Sequence, residues 1–418
     1  MSTPAETLPA TETAPAVDVV VVPELSPEDA EIAKRVDMLT TIANNGGEVI
    51  PALPTSESHQ LFKLLKRCSE VENRNPIAYD GFEPSGRMHI AAGVLKAINV
   101  MKMLNAGVDV KLWVADWFAM MNNKFGGDLG TIRTCGEYFI HVWRALGLPV
   151  DEEPARPGMG RLMTVWSSEA IGGAEGTAYW ETVMDIARRN SVTRIGRCGM
   201  IMGRKDGADL SAAQIMYPCM QCADIFFLKA DICQLGLDQR KVNMLALEYV
   251  QQVDKDNKKR AKKKQPLKPR LQKPVIISHG MLKGLKGGDV KMSKSDPNSA
   301  VFVDDADKDV ARKIKKAFCE FGNADNNPVL DYATRIIMPW AGPLLVHRSE
   351  EEGGDITYTE TEALIQDFKE EKVHPKDLKA AVATGLGSLL QCVRDYFDND
   401  TNGSKAVQEA VLKARVTR

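Results

Sequence analysis

From Pro76 onward, short apolar runs alternate with longer helical patterns, and this alternation restricts the fold more than any other feature of the chain. The runs "PIAYDGF", "VDVKLWVAD", "RLMTVWS", "ICQLG" and "PVIISH" read as strands, with helices near residues 91–105, 128–147, 175–195 and 211–231. Strands separated by helices build parallel sheets covered on both faces, so the spacing predicts an α/β fold, a Rossmann-type doubly wound domain over 76–306. Ligands of such sheets sit beyond the strands' carboxyl ends. After about Asp307 the strand pattern fades. "KDVARKIKKAFCEF", "ETEALIQDFKEE" and "PKDLKAAVATGLGSLLQCVRDYF" read as amphipathic helices, so a helical C-terminal domain is expected over 307–418.

Residues 1–25 are rich in Pro, Thr and Ala and read as a disordered tail, with "VDVVVV" pairing as a strand in the alternative reading. Ser26 is placed to cap a helix with Asp29 three residues on, "NNGGEVIPALP" breaks it, and a second helix runs from about Ser56 to Glu70. These form an N-terminal helical extension over 26–75. The formal charge is −2 in 418 residues, so a nucleic-acid partner must be met by local basic patches. One such patch is the basic insert at 255–273. Residues 258–273 carry nine basic side chains and no acid, and read either as a solvated loop or as an auxiliary RNA clamp. The eight cysteines are scattered apart from Cys219 and Cys222, which suits a reducing, cytoplasmic compartment. That C-x-x-C has no second pair or histidine at zinc spacing, so packing thiols and no protein-bound metal are expected. No apolar run is long enough to span a bilayer, and no basic residue precedes Lys34, unlike a signal or transit peptide. A membrane is therefore not an expected partner.

Two stretches carry chemistry. "YDGFEPSGRMHIAAG" (79–93) supplies a strand, a glycine loop and a helix start. Gly81 and Gly86 let backbone approach a ligand that a Cβ would block, and His89 stands where free N–H groups favour phosphate. A well-made turn capping a helix would look the same. "GGDVKMSKSDP" (287–297) adds glycine flexibility and the cations Lys291 and Lys294 with Ser293 between them. Such a loop can close over a polyphosphate and neutralise the charge of departing pyrophosphate. On the mostly apolar helix 211–231, Tyr217, Gln221 and Asp224 fall at i, i+4 and i+7, on one face. A polar stripe on a buried helix is satisfied by an internal hydrogen-bond network or by a ligand.

"HIAA" at 89–92 and "KMSKS" at 291–295 resemble the two signatures of class I aminoacyl-tRNA synthetases. "YDGFEPSG", "ADWFA", "YPCMQCADIFFLKADICQLGLDQRK", "IKKAFCEFGNADNNPVL" and "HPKDLK" resemble the tyrosyl-tRNA synthetases of eukaryotic and archaeal type, over about residues 76–400. The resemblance implies a tyrosine–tRNA ligase. Tyrosine and ATP, taken as its Mg²⁺ complex, give tyrosyl-adenylate and pyrophosphate, and the tyrosyl group then passes to the 3′ end of tRNA(Tyr). It further implies a homodimer and an anticodon-binding C-terminal domain. Carried over position by position, Asp224 and the Tyr79 hydroxyl bind the substrate phenol, while Tyr217, Gln221 and Gln239 hold its α-amino group. His89, Lys291, Ser293 and Lys294 meet the phosphates, Gly81 and Gly236 lie close to the nucleotide, and Asp238 binds the ribose hydroxyls. His374 and Asp377 of "HPKDLK" contact the anticodon or, in the alternative reading, cap a helix.

The chain departs from the family pattern in three places. Ala91 stands where the wider class has Gly, Ala92 replaces the final His of the first signature, and Glu352 replaces an aromatic residue before Gly353 and Gly354. Two rival functions share these features: a tryptophanyl-tRNA synthetase, and a non-catalytic RNA-binding or signalling protein on a synthetase scaffold. Asp224 with "GLDQRK" favours tyrosine, and intact His89, Lys291 and Lys294 favour catalysis.

Overall fold

The computed structural model describes residues 25–415 apart from 45, 49, 51–58, 205–206, 288–291, 293–295 and 297. The tail expected over 1–25, apart from Leu25, the start of the second helix, and the residues Lys291, Ser293 and Lys294 therefore lie outside the described residues.

Helix α1 (Pro27–Asn44) starts where Ser26 Oγ accepts the Asp29 N–H at 3.1 Å. It buries Ile32, Val36, Leu39 and Ala43, one stripe of a 3.6-residue period, against α2 (Gln60–Lys66) and the body that follows. Arg35 donates to the Ala106 carbonyl at 2.6 Å, and Arg74 makes a two-pronged contact with buried Asp231. The extension is thus fastened to the sheet by packing and by charge.

All five expected strands are present: β1 (Ile77–Phe82), β2 (Asp109–Val114), β3 (Leu162–Trp166), β4 (Ile232–Gly236) and β5 (Val275–His279). They form one parallel sheet in the order β3-β2-β1-β4-β5. The chain winds outward from β1 to β3, then returns to the other side of β1. The connections leaving β1 and β4 diverge, which opens a crevice above their carboxyl ends. Every residue of β4 is buried, as a strand covered on both faces requires.

The covering helices are α3 (Lys96–Asn105), α4 (Asp116–Met121), α5 (Leu129–Ala145), α6 (Ser167–Gly172), α7 (Gly176–Arg189), α8 (Val192–Gly196), α9 (Ala212–Phe227) and α10 (Arg240–Lys262). Three boundaries differ from the sequence reading. The helix expected over 91–105 opens as a π-helical turn, Ala91–Leu95, before α3. The one expected over 175–195 is divided, because Asn190 is extended and Ser191 caps α8 by accepting the Arg194 N–H at 3.1 Å. The one expected to reach 231 ends at Phe227, where Lys229 turns into the left-handed region (φ 55°).

Residues 255–262 of the basic insert are the last turns of α10, so within the run 258–273 only the part after Lys262 is loop. The remainder folds back: Asn257 bonds both the N–H and the carbonyl of Lys268, and Lys268 Nζ pairs with Asp185 at 3.2 Å.

Beyond Asp307 the chain is mainly helical, in α11 (Asp307–Lys316), α12 (Pro328–Tyr332), α13 (Met338–Ala341), α14 (Thr361–Lys369), α15 (Pro375–Asp398) and α16 (Ser404–Lys413). A short antiparallel hairpin, β6 (Leu344–Val346) with β7 (Ile356–Tyr358), was not expected; three residues per strand leave no readable alternation. Helix α16 packs back on α5, and one apolar core runs continuously from Ile32 to Val411.

Candidate active site

A cavity of about 330 Å³ opens at the carboxyl ends of β1 and β4, where the sheet order reverses. Tyr79 and Gly81 reach it from β1, Tyr217, Gln221 and Asp224 from α9, and Gly236, Asp238 and Gln239 from the end of β4, with His89 on the opposite rim. The structure therefore brings together every expected amino-acid and nucleotide residue that lies among the described ones.

The deep end is acidic and buried. Asp224 is fully buried. Its Oδ1 accepts the Tyr179 hydroxyl at 2.9 Å, while Oδ2 has no partner among the described residues. Burial pushes the carboxyl well above its usual range, and the Tyr179 hydroxyl pulls it partly back. An orphaned buried acceptor is expensive unless a ligand supplies the missing donor. Tyr79 stands beside it, fully buried, its phenol raised by that burial and by the nearby Asp224 charge.

The polar stripe of α9 continues outward. Ser211 and Gln214 cap each other reciprocally and set the start of the helix. Gln221 Nε2 donates to Gln239 Oε1 at 3.0 Å, and Gln239 Nε2 donates to the Ile201 carbonyl, which leaves the Gln221 carbonyl as an acceptor. Tyr217 donates its hydroxyl to Glu83 at 2.7 Å, so toward a ligand it can only accept. Glu83 also takes both contacts from Asn122 Nδ2 and faces Lys124 at 3.7 Å. An acceptor set beside a carboxylate suits an ammonium group.

The other end is built from backbone and cations. A Cβ at Gly236 would lie 2.7 Å from Asp238 Oδ1 and 2.9 Å from Met281 Sδ, so only glycine leaves this space open. Gly86 turns at φ 107°, a conformation L side chains rarely adopt. His89 stands at the helix start as its sequence position suggests, its carbonyl accepting the Ala92 and Gly93 N–H groups at 3.0 Å. It forms a β-bridge with Phe302, flanked by Ile90 N–H to Val301 O and Val303 N–H to Met88 O, both 3.0 Å. Its Nδ1 accepts the Ala92 N–H at 3.3 Å, which places the ring proton on Nε2. Arg87 reinforces the bridge through Asp304 and Asp305, and the Leu285 N–H to Ser299 O bond ties the two ends of the lysine segment together.

Sequence reasoning missed Glu83, Lys96, Trp113, Tyr179 and His279. Glu83 sits inside a quoted motif and could have been found there. Tyr179 reaches Asp224 only because α7 packs on α9, which no local pattern reveals. Far from the cavity, His374 caps α15 by accepting the Lys376 N–H at 3.1 Å, and Asp377 lies in the first turn. Glu352 completes a capping box with Ser349, whose hydrogen bonds hold its carboxyl below the usual range. Cys219 and Cys222 are buried in α9.

The family model for class I tRNA synthetases (W and Y) matches residues 71–391. Over 344 residues the chain is 50% identical to tyrosine–tRNA ligase 1, cytoplasmic, of Arabidopsis thaliana, covering 82% of each. It is 36% identical to the tyrosine–tRNA ligase of Thermococcus gammatolerans, covering 80% of this chain and 90% of that one. Among solved structures it is similar to Leishmania major tyrosyl-tRNA synthetase in complex with tyrosinol, with a TM-score of 0.76 and 40% identity, over 92% of this chain but 61% of that one.

Proposed function

Because the chain belongs to the class I tRNA synthetases of the tryptophan and tyrosine family, and within it to the tyrosine–tRNA ligases, we propose that this cavity joins L-tyrosine to ATP and passes the tyrosyl group to tRNA(Tyr). The observation that carries the assignment to these residues is the unpaired buried oxygen of Asp224 beside Tyr79. A phenol supplies the missing donor there. Phenylalanine leaves it orphaned, and sites of this kind reject the analogue lacking the hydroxyl by about 10⁴–10⁵-fold, a range for which a tyrosyl synthetase is itself the known example. Tryptophan has an indole N–H but no hydroxyl to fill the same position.

In this reading the ammonium of tyrosine lies among Tyr217, Gln221 and Gln239, with Glu83 adding charge. The substrate carboxylate is already ionised, so no general base is required. It attacks the α-phosphorus of Mg·ATP, the bond to the β-phosphate oxygen breaks, and pyrophosphate departs. Catalysis is then placement plus stabilisation of charge. His89 donates from Nε2 to a phosphate oxygen, Lys291, Ser293 and Lys294 meet the departing pyrophosphate, Asp238 holds the ribose, and Gly81 and Gly236 admit the nucleotide. A terminal ribose hydroxyl of tRNA next attacks the tyrosyl carbonyl and releases AMP. Cytoplasmic location, a homodimer and anticodon contact through the C-terminal helices complete the proposal; no helix among the described residues is long and apolar enough to cross a membrane.

Amino-acid-dependent ATP–pyrophosphate exchange, run with all twenty amino acids, tests it. Exchange with tyrosine alone is expected. Exchange driven by tryptophan, or by none of them, would overturn the reading.

A further inference from the structure

Among the described residues lining the cavity, Lys96 is the only lysine or arginine. Its position follows from the π-helical turn after His89. Ala91 and Ala92 precede Leu95 and Lys96 by four residues, so the pairs share one face, and all four line the cavity. The ammonium is held from below. Asp80, on β1, accepts it at 2.5 Å and is itself 2% exposed, against 12% for Lys96. The second oxygen of Asp80 has no partner among the described residues, so this carboxylate is committed to the lysine. The ammonium nitrogen lies 5.8 Å from the centre of the Phe82 ring.

Across the crevice stands His279, at the end of β5. Burial first, then the Lys96 and Arg335 charges, push its pKa down to about 3, so the ring stays neutral beside the lysine. His279 Nε2 lies 3.6 Å from where a Cβ on Gly236 would stand, and both line the cavity together with Lys96. A buried ion pair is weak evidence of a stabilising role, since apolar side chains of similar volume often serve the fold equally well. One hydrogen of the ammonium goes to Asp80, and two remain to be placed.

The geometry points to Lys96, held by Asp80, as a positioning cation for ATP: it donates to an oxygen of the nucleotide, on the ribose or the α-phosphate, and sets the α-phosphorus in line with the attacking carboxylate. This rests on the ATP-dependent reading above and adds a residue to it. Ala92 presents no polar group on this wall, and Lys96 supplies one a single turn later.

The test compares wild type, Lys96→Met, Lys96→Arg and the double variant Asp80→Leu/Lys96→Met. Isothermal titration with ATP, AMP and adenosine is paired with tyrosine-dependent pyrophosphate exchange. Lys96→Met is expected to weaken ATP by roughly 10- to 100-fold, the span of a charge-assisted bond, with tyrosine KM within about twofold. Lys96→Arg restores most of it. The double variant recovers thermal stability but not ATP affinity. Equal losses for adenosine and ATP assign the ribose, and a loss confined to AMP and ATP assigns the phosphate. Normal ATP affinity in the double variant means the pair serves only the fold and overturns the inference. So does a parallel loss for tyrosine. Wild-type protein that binds ATP but exchanges with no amino acid would defeat the functional reading alone, because the titrations still decide Lys96.

Discussion

The two ends of the cavity are built by opposite means. At the end proposed for tyrosine, Tyr79, Tyr179, Tyr217, Gln221 and Asp224 project from β1, α7 and α9, all of them buried, with Tyr179 bonded to Asp224, Tyr217 to Glu83 and Gln221 to Gln239. At the end proposed for the nucleotide, Gly236 opens the wall, His89 sits on a bridge and Lys96 supplies the charge among the described residues. The difference follows from the task. Telling a phenol from a phenyl ring needs fixed, desolvated polar groups, because selectivity comes from the penalty of leaving one unpaired. Phosphoryl transfer needs room for a triphosphate and cations that meet charge as it develops.

If the ends are separable, substitutions at one should spare the other. The largest effect is expected from Asp224→Leu. The tyrosine-over-phenylalanine ratio of kcat/KM should fall by about 10³-fold or more, with ATP KM little changed. A retained ratio would move specificity to another residue. Next come His89→Ala and Lys294→Ala, each expected to slow adenylate formation by about 10²–10³-fold, the usual loss for one transition-state donor. Tyrosine affinity should stay within about twofold, and unchanged single-turnover rates in both variants would refute the assignments. Gly236→Ala follows: with 2.7 Å to Asp238 Oδ1, the added methyl should raise ATP KM about tenfold and leave tyrosine KM alone.

The smallest effect concerns acid. His279 is neutral in the fold down to about pH 3, whereas the unfolded chain takes up that proton near 6.5. The unfolded state then binds more protons, so this contribution to stability is complete above about pH 6.5 and is lost as pH falls toward 3. It amounts to about 2 kcal/mol by pH 5. Thermal unfolding from pH 7 to 5 should therefore be flatter in His279→Gln than in wild type, and parallel curves would contradict the assignment.

The same contrast decides what could be read from sequence. The five strands were legible because buried parallel strands are short, unbroken apolar runs, as β4 is. The tyrosine stripe was legible because i, i+4, i+7 on an apolar helix is a local pattern, and the family motifs attached roles to it. Glu83, Tyr179 and Lys96 were not, since each gains its meaning from a crossing: Tyr217 over Glu83, α7 over α9, α3 over β1. The π-helical turn that aims Lys96 leaves no mark in hydrophobic periodicity. The motif singled out His89, yet its bridge to Phe302 depends on pairing across more than 200 residues. The β6–β7 hairpin escaped because three-residue strands fall below what alternation can register.

The separation of the two ends is tested most directly by rapid-quench measurement of tyrosyl-adenylate formation by Lys294→Ala over a range of tyrosine concentrations at saturating ATP. The account predicts a half-saturating tyrosine concentration equal to wild type and a maximal rate at least 100-fold lower. A shift in half-saturation with an unchanged maximal rate would show that the lysine segment helps to hold the amino acid, and the division between a prebuilt tyrosine site and a charge-completed nucleotide site would fall.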